Sequence, residues 1–226
     1  MGGNISQEQM NEYRETVKDR LSEEAISFLY SRFMKAAPSG VMTPLLFKQY
    51  IESVDVYKDR RIREEEHKRQ QTGVFDRLSN ANKNNVSTKE HAEAAAAEDD
   101  SDYYRHLFRG YDLDNDGVIT FKKFLMYHVA IVYSTEDLFY VIFNTYDENG
   151  DDCLSLGDIK AVITAATRYV GDYNVSDREV RRVIDEEARR LMGFLDIRKQ
   201  GYVQMEDMRL ITQKYPQVLE KMKCLM

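Results

Sequence analysis

Three aspartates, Asp112, Asp114 and Asp116, alternate along DLDNDGVITFKK, the run from Asp112 to Lys123. Alternating carboxylates followed by a glycine form the opening of an oxygen cage for a hard divalent cation. Side-chain ligands fall at positions 1, 3 and 5, Gly117 makes the sharp turn at position 6, Val118 offers its carbonyl at position 7, and Thr120 can hold a water at position 9. Position 12 of such a cage is a glutamate that grips the ion with both oxygens. Here it is Lys123, so the site is impaired. The ammonium is expected to neutralise the three carboxylates and stand in for the metal. Two opposite charges about 4 Å apart gain only ~1 kcal/mol in water and ~4 kcal/mol near a protein surface.

A second run, DENGDDCLSLGD from Asp147 to Asp158, has an oxygen donor at every ligand position. Asp147, Asn149, Asp151 and Asp158 supply side chains, Cys153 a backbone carbonyl, and Ser155 acts directly or through water. Position 6 is Asp152 instead of glycine, which tolerates the left-handed turn at some cost. Position 12 is Asp158, one methylene shorter than glutamate. That closer favours six-coordinate Mg2+ or weaker Ca2+ binding. This run is the better metal site.

Two further runs keep the frame without the ligands. DIRKQGYVQMED, from Asp196 to Asp207, has Gly201 and Val203 in place, but a guanidinium at position 3 (Arg198) and Gln200 at position 5. A cation in a cation cage is prohibitive, so a structural loop is expected. KAAPSGVMTPLL, from Lys35 to Leu46, has Gly40 and Met42 in frame and no acid. Four such frames between apolar helices are the pattern of EF-hands, which pair through short strands at position 8. The expected pairs are Lys35–Leu46 with Asp112–Lys123, and Asp147–Asp158 with Asp196–Asp207.

The elements that hold these loops read as helices. Ala25, Phe28, Leu29 and Phe33 fall on one face of a helix over 21–37. Thr43-Pro44 caps a helix carrying Leu45, Leu46, Phe47, Tyr50 and Ile51. STED (Ser134 to Asp137) and SDRE (Ser176 to Glu179) read as capping boxes. They open helices with Leu138, Val141, Ile142 and Phe143, and with Val180, Val183, Ile184, Ala188 and Leu191. The fold class is therefore all-α: two EF-hand pairs, some hands degenerate, with short two-strand contacts between paired loops.

The chain has 226 residues, is 31% charged and carries a net charge of -7, which argues against nucleic-acid binding and fits cation or basic-peptide binding. Two distant cysteines, Cys153 and Cys224, make no disulfide framework and favour a reducing, intracellular setting. No apolar run approaches the ~20 residues that span a bilayer. MGGNIS fits N-myristoylation at Gly2, with Ser6 in the favoured place. One such chain binds membranes only marginally, so a second contact is needed. The stretch 57–101 changes character: a charged helical extension, then a low-complexity linker ending in EHAEAAAAEDD. Its basic residues, Arg60, Arg61, Arg63, Lys68 and Arg69, could meet anionic lipid, blunted by Glu64, Glu65 and Glu66. The histidines His67, His91, His106 and His128 have neither triad nor metal-ligand spacing, and no enzyme is expected.

The chain resembles the neuronal calcium sensors and their relatives, calcineurin B and the calcium- and integrin-binding proteins. The carrying segments are MGGNIS, the degenerate APSG hand, STEDLFYVIFNTYDENGD, YVGDYNVSDREV and the tail ITQKYPQVLEKMK. Lys123, Asp152, Arg198 and the 57–101 insertion depart from it. The resemblance implies an acylated helical sensor that regulates a target protein at a membrane. The expected organisation is 1–56, an acylated segment and degenerate first hand; 57–101, the insertion; 102–133, the second hand; and 134–226, the last two hands with a tail helix. The expected cofactor is Ca2+, with Mg2+ possible. The expected partners are a target protein, bound as an amphipathic helix, and the cytoplasmic face of a membrane. Opening would expose Phe121, Phe124, Met126, Tyr127, Met192 and Phe194, and a tail helix at Tyr215, Val218, Leu219 and Met222 could plug the groove. A metal-independent EF-hand adaptor is the rival reading.

Overall fold

Several of the described helices start at a small polar side chain that accepts from an otherwise unpaired backbone amide. The computed structural model describes residues 5–54, 101–133, 136–170 and 173–223. Gly2, Ser134, Thr135, Cys224 and nearly all of the 57–101 insertion lie outside them. Ser6 caps α1 (Gln7–Thr16) with a reciprocal box to Gln9. Ser22 caps α2 (Glu23–Ala36), and Thr43 accepts from Leu46 at the start of α3 (Pro44–Val54). The strand β1 (Val41–Met42) lies between them.

The chain continues with α4 (Ser101–Tyr111), β2 (Ile119–Thr120), α5 (Phe121–Tyr133) and α6 (Leu138–Tyr146). Then come β3 (Cys153–Ser155), α7 (Leu156–Val170), α8 (Arg178–Leu195), β4 (Tyr202–Gln204), α9 (Met205–Lys214) and α10 (Gln217–Lys223). Among the described residues the molecule is mostly helical, with two small antiparallel sheets, β1–β2 and β3–β4. Met42 pairs with Ile119, and Leu154 with Val203. Each of these is the eighth residue of its loop frame, and all four are fully buried.

Two apolar clusters form around these strands. One joins α1–α5 and includes Phe33, Met42, Phe47, Ile119 and Phe124. The other joins α6–α10 and includes Leu154, Ile184, Leu195, Val203 and Met222. Helix α6 serves both: Val141 faces the first cluster, while Leu138, Ile142, Phe143 and Tyr146 face the second. It packs on α4 at Gly110, where a Cβ would overlap Thr145 Oγ1 and sit 3.3 Å from the Tyr127 ring. That contact brings together the helices leading into the Asp112 and Asp147 loops.

Several sequence expectations are corrected. Phe28 is 61% exposed, under the Arg32 guanidinium, while Ile26 and Phe33 carry the buried stripe of α2. Helix α2 begins only at Glu23, and Ile26, Phe33 and Ala37 at sevenfold and elevenfold spacing are what face the core. Leu45 is exposed. Helix α6 begins at Leu138 after Asp137, which has helical backbone and makes no capping bond from its side chain. The SDRE cap is Asp177, not Ser176: its carboxylate accepts from Glu179 and Val180. Ser and Asp are near-equal caps, so adjacent ones leave the boundary open by one residue.

Candidate metal centre

The last three loops share a backbone although their side chains differ, and the first shares their turn at position 6. Position 6 has a positive φ in each: 84° at Gly40, 83° at Gly117, 60° at Asp152 and 88° at Gly201. Position 4 is also left-handed in the last three, at Asn115, Gly150 and Lys199. In those three the position-6 amide donates to the position-1 carboxylate: Gly117 to Asp112 at 2.8 Å, Asp152 to Asp147 at 3.1 Å, and Gly201 to Asp196 at 2.8 Å. Asp152 thus adopts the turn that glycine makes elsewhere.

In Asp112–Lys123 the turn folds the closing residue back over the opening ones. The three N–H groups of the Lys123 ammonium are shared among four oxygens: Asp112 Oδ1 at 2.8 Å, Asp116 Oδ1 at 2.7 Å, Asp114 Oδ1, and the Val118 carbonyl at 2.9 Å. Positions 1, 3, 5 and 7, the first four ligands of a cation loop, therefore converge on an ammonium. The Lys123 side chain is 10% exposed, and Asp112 is buried, whereas Asp114 and Asp116 face solvent. Burial works against the charged form of Lys123, but the bonds to Asp112, Asp114 and Asp116 outweigh it and hold its pKa above the ordinary lysine value. The same ammonium, with the Val118 amide, holds Asp116 below the ordinary carboxylate range. Thr120 Oγ1 accepts from the Lys123 amide. The three carboxylates form the acidic group, among the described residues, whose oxygens lie within 4.8 Å of one another.

Asp147–Asp158 has no cation of its own. Asp147 Oδ1 accepts from the Gly150 amide at 2.8 Å, and Asp151 Oδ1 from the Cys153 amide at 3.0 Å. Asn149 Nδ2 donates to Asp151 Oδ2. Asp158 is buried, and its Oδ2 accepts from the Ser155 amide at 2.8 Å and the Ser155 hydroxyl at 2.5 Å. The donor set fits a hard divalent cation: the turn is formed, the ligand positions carry oxygen, and the Leu154–Val203 pairing anchors the loop at position 8. Asp147, Asn149, Asp151 and Asp158 would hold it with the Cys153 carbonyl and the Ser155 hydroxyl. Asp158 must turn from Ser155 to do so.

Asp196–Asp207 solves the charge problem from the opposite end. Arg198 at position 3 reaches position 12, with Nε 2.7 Å from Asp207 Oδ1, and Gln200 Nε2 donates to Asp207 Oδ2. Lys35–Leu46 has no acid to neutralise. The side chains expected to surface on opening are mostly covered: Phe121, Phe124, Tyr127 and Met192 are buried, Met126 is half-buried, and Phe194 is exposed. Val218 and Met222 of the tail helix α10 are buried in the α6–α10 cluster, and Tyr146 Oη donates to the Met222 carbonyl. His128 is bonded to the Phe124 carbonyl within its own helix.

Sequence reasoning missed two side chains at the better loop. Arg105 and Arg109, on α4, reach across to it: Arg105 pairs with the Glu148 carboxylate at 2.6 Å. Arg109 donates to the Glu148 carbonyl and lies 3.9 Å from Asp147 Oδ1. A basic residue three places before a loop gives no sign that it serves another loop some forty residues on. No protein-family model matches the chain.

Proposed function

We propose that this chain is an EF-hand regulatory protein, akin to the neuronal calcium sensor and calcineurin B group. Its first pair of hands is a metal-independent platform, and its one divalent-cation loop is Asp147–Asp158. The observation that carries this reading is the Lys123 ammonium among Asp112, Asp114, Asp116 and the Val118 carbonyl. Where the cation of the second hand would sit, the chain supplies its own. The first hand has no acid, and the fourth is closed by Arg198 and Asp207. The third keeps oxygen at every ligand position and the left-handed turn at Asp152.

In this reading Ca2+ or Mg2+ pulls Asp158 away from Ser155 and shifts α7 relative to α6. The target is an amphipathic helix that takes the place of α10, whose Val218 and Met222 already occupy the apolar surface such a helix would need. Myristate on Gly2 brings the complex to the cytoplasmic face of a membrane; no described helix is long and apolar enough to cross one. Calorimetric titration of the metal-free full chain tests it. The wild type takes up one Ca2+, and Asp147→Asn abolishes the event. No heat at millimolar metal would reject the reading and leave the rival, a metal-independent adaptor. That rival draws its own support from the built-in cations of the second and fourth loops.

A further inference from the structure

The two arginines that cross from α4 flank the first two residues of the third loop. Asp147 opens the metal loop and is buried, with its side chain 5% exposed. The Arg109 guanidinium beside it is 19% exposed, bonds the Glu148 carbonyl, and would be 3.2 Å from a Cβ on Gly150. Its Nε is buried and has no hydrogen-bond partner. Such a group is expensive to keep unless its charge is used. Arg105 lies one helical turn earlier on the same face and holds the Glu148 carboxylate. The carboxylates of positions 1 and 2 of the loop, and the carbonyl of position 2, are thus clamped by two positive charges from α4.

We propose that Arg109 is an intramolecular competitor for the divalent cation at Asp147–Asp158: it sets the metal threshold of that loop, and metal binding releases α4 from it. The inference rests on the metal reading of that loop and adds what regulates it. A divalent ion held by Asp147 comes within a few ångströms of the guanidinium, and like charges at that range in a partly buried site repel strongly. Either the ion stays weakly bound or Arg109 withdraws and frees the Glu148 carbonyl. A cleft of 290 Å³ lined by Arg105, Glu148, Gly157 and Lys160 gives the Arg105 and Glu148 side chains room to part. Because α4 runs directly into Asp112, release at the third loop is transmitted to the helix that leads into the lysine-filled second loop. The competitor is a positioning residue: it would touch no metal and act through Asp147 and Glu148.

The test compares the full chain with Arg109→Gln and Arg109→Lys by Ca2+ calorimetry, and by hydrogen exchange of the 147–151 amides without metal. Arg109→Gln should bind Ca2+ tighter by on the order of tenfold and exchange faster when metal-free. Arg109→Lys, which keeps the charge, should bind close to wild type. A residue of purely structural importance would weaken binding on substitution, so the sign of the change decides. Wild-type binding with Arg109→Gln unchanged or weaker overturns the threshold role and leaves the metal reading intact. Equal tightening in both variants overturns it too, because charge is then not the cause. No binding by any of the three overturns both. If Arg109→Gln does not fold, Arg105→Gln carries the same comparison from a side chain 53% exposed, with a smaller tightening expected.

Discussion

The loops Asp112–Lys123 and Asp147–Asp158 are built on one backbone and are filled from different sources. Both turn through left-handed residues at positions 4 and 6, both bond the position-6 amide to the first aspartate, and both anchor position 8 in a buried strand pair. In the first, the closing residue is a lysine whose ammonium gathers three carboxylates and a carbonyl. In the second, the closing residue is a buried aspartate turned to Ser155, and the nearest cation comes from another helix. A cation within the loop makes the shape permanent. A cation from outside leaves the shape conditional on what else competes for the same oxygens.

The largest way to break that difference is to give the second loop a proper closer. Lys123→Glu should create a site and raise its Ca2+ affinity by on the order of 100-fold or more, into the range of sensor hands; a second calorimetric event reads this. Next is removal of the internal cation without replacement. Lys123→Met leaves three carboxylates facing one another and should cost about 2 kcal/mol in urea unfolding. That is below the ~3–5 kcal/mol of a fully buried pair, because Asp114 and Asp116 reach solvent; millimolar Ca2+ should restore part of it.

The pH dependence follows from the same ammonium. The Lys123 pKa stands above its ordinary 10.5, so its contribution is whole below that value and is lost as pH rises through the raised one. The Asp116 pKa stands below its ordinary 3.8, so its contribution is present above that value and is lost as pH falls through the lowered one. The difference in Tm between wild type and Lys123→Met should be flat from about pH 5 to pH 10 and shrink at both ends.

Gly110→Ala should cost about 1–2 kcal/mol, by forcing α4 from α6 where the Cβ meets Thr145 and Tyr127, and should separate the two loops without touching either. The smallest effect belongs to Asp152→Gly. Relief of a left-handed non-glycine residue should stabilise the metal-free protein by about 0.5–1 kcal/mol, as read by urea unfolding.

Chemistry local to a loop was legible in the sequence. The oxygen spacing, the lysine at position 12, the guanidinium at position 3 and the pairing of eighth residues are read from residue types at fixed offsets. The backbone leaves those side chains few other places to go. What was not legible depends on how elements face one another. Phe28 and Ile26 both suit an apolar face, and only the packing of α1, α3 and α5 against α2 decides between them. Ser176 and Asp177 are both good caps, and one residue of phase separates them. Arg109 is the clearest case: nothing in its own segment marks it, and its partners, Asp147 and Glu148, become its neighbours where Gly110 lets α4 and α6 approach closely. Arg198 was legible as an obstacle to metal, but not as the partner of Asp207.

The most direct measurement is a Ca2+ titration followed in the amide spectrum of the uniformly labelled, metal-free protein. If Lys123 fills the second loop and the third responds, the amides of Gly150, Asp152 and Ser155 shift to saturation at one equivalent. Those of Asn115, Gly117 and Ile119 stay close to their metal-free positions, apart from the small displacement carried through α4. Saturating shifts at Gly117 and Ile119, or shifts there that precede those at Asp152, would contradict the account.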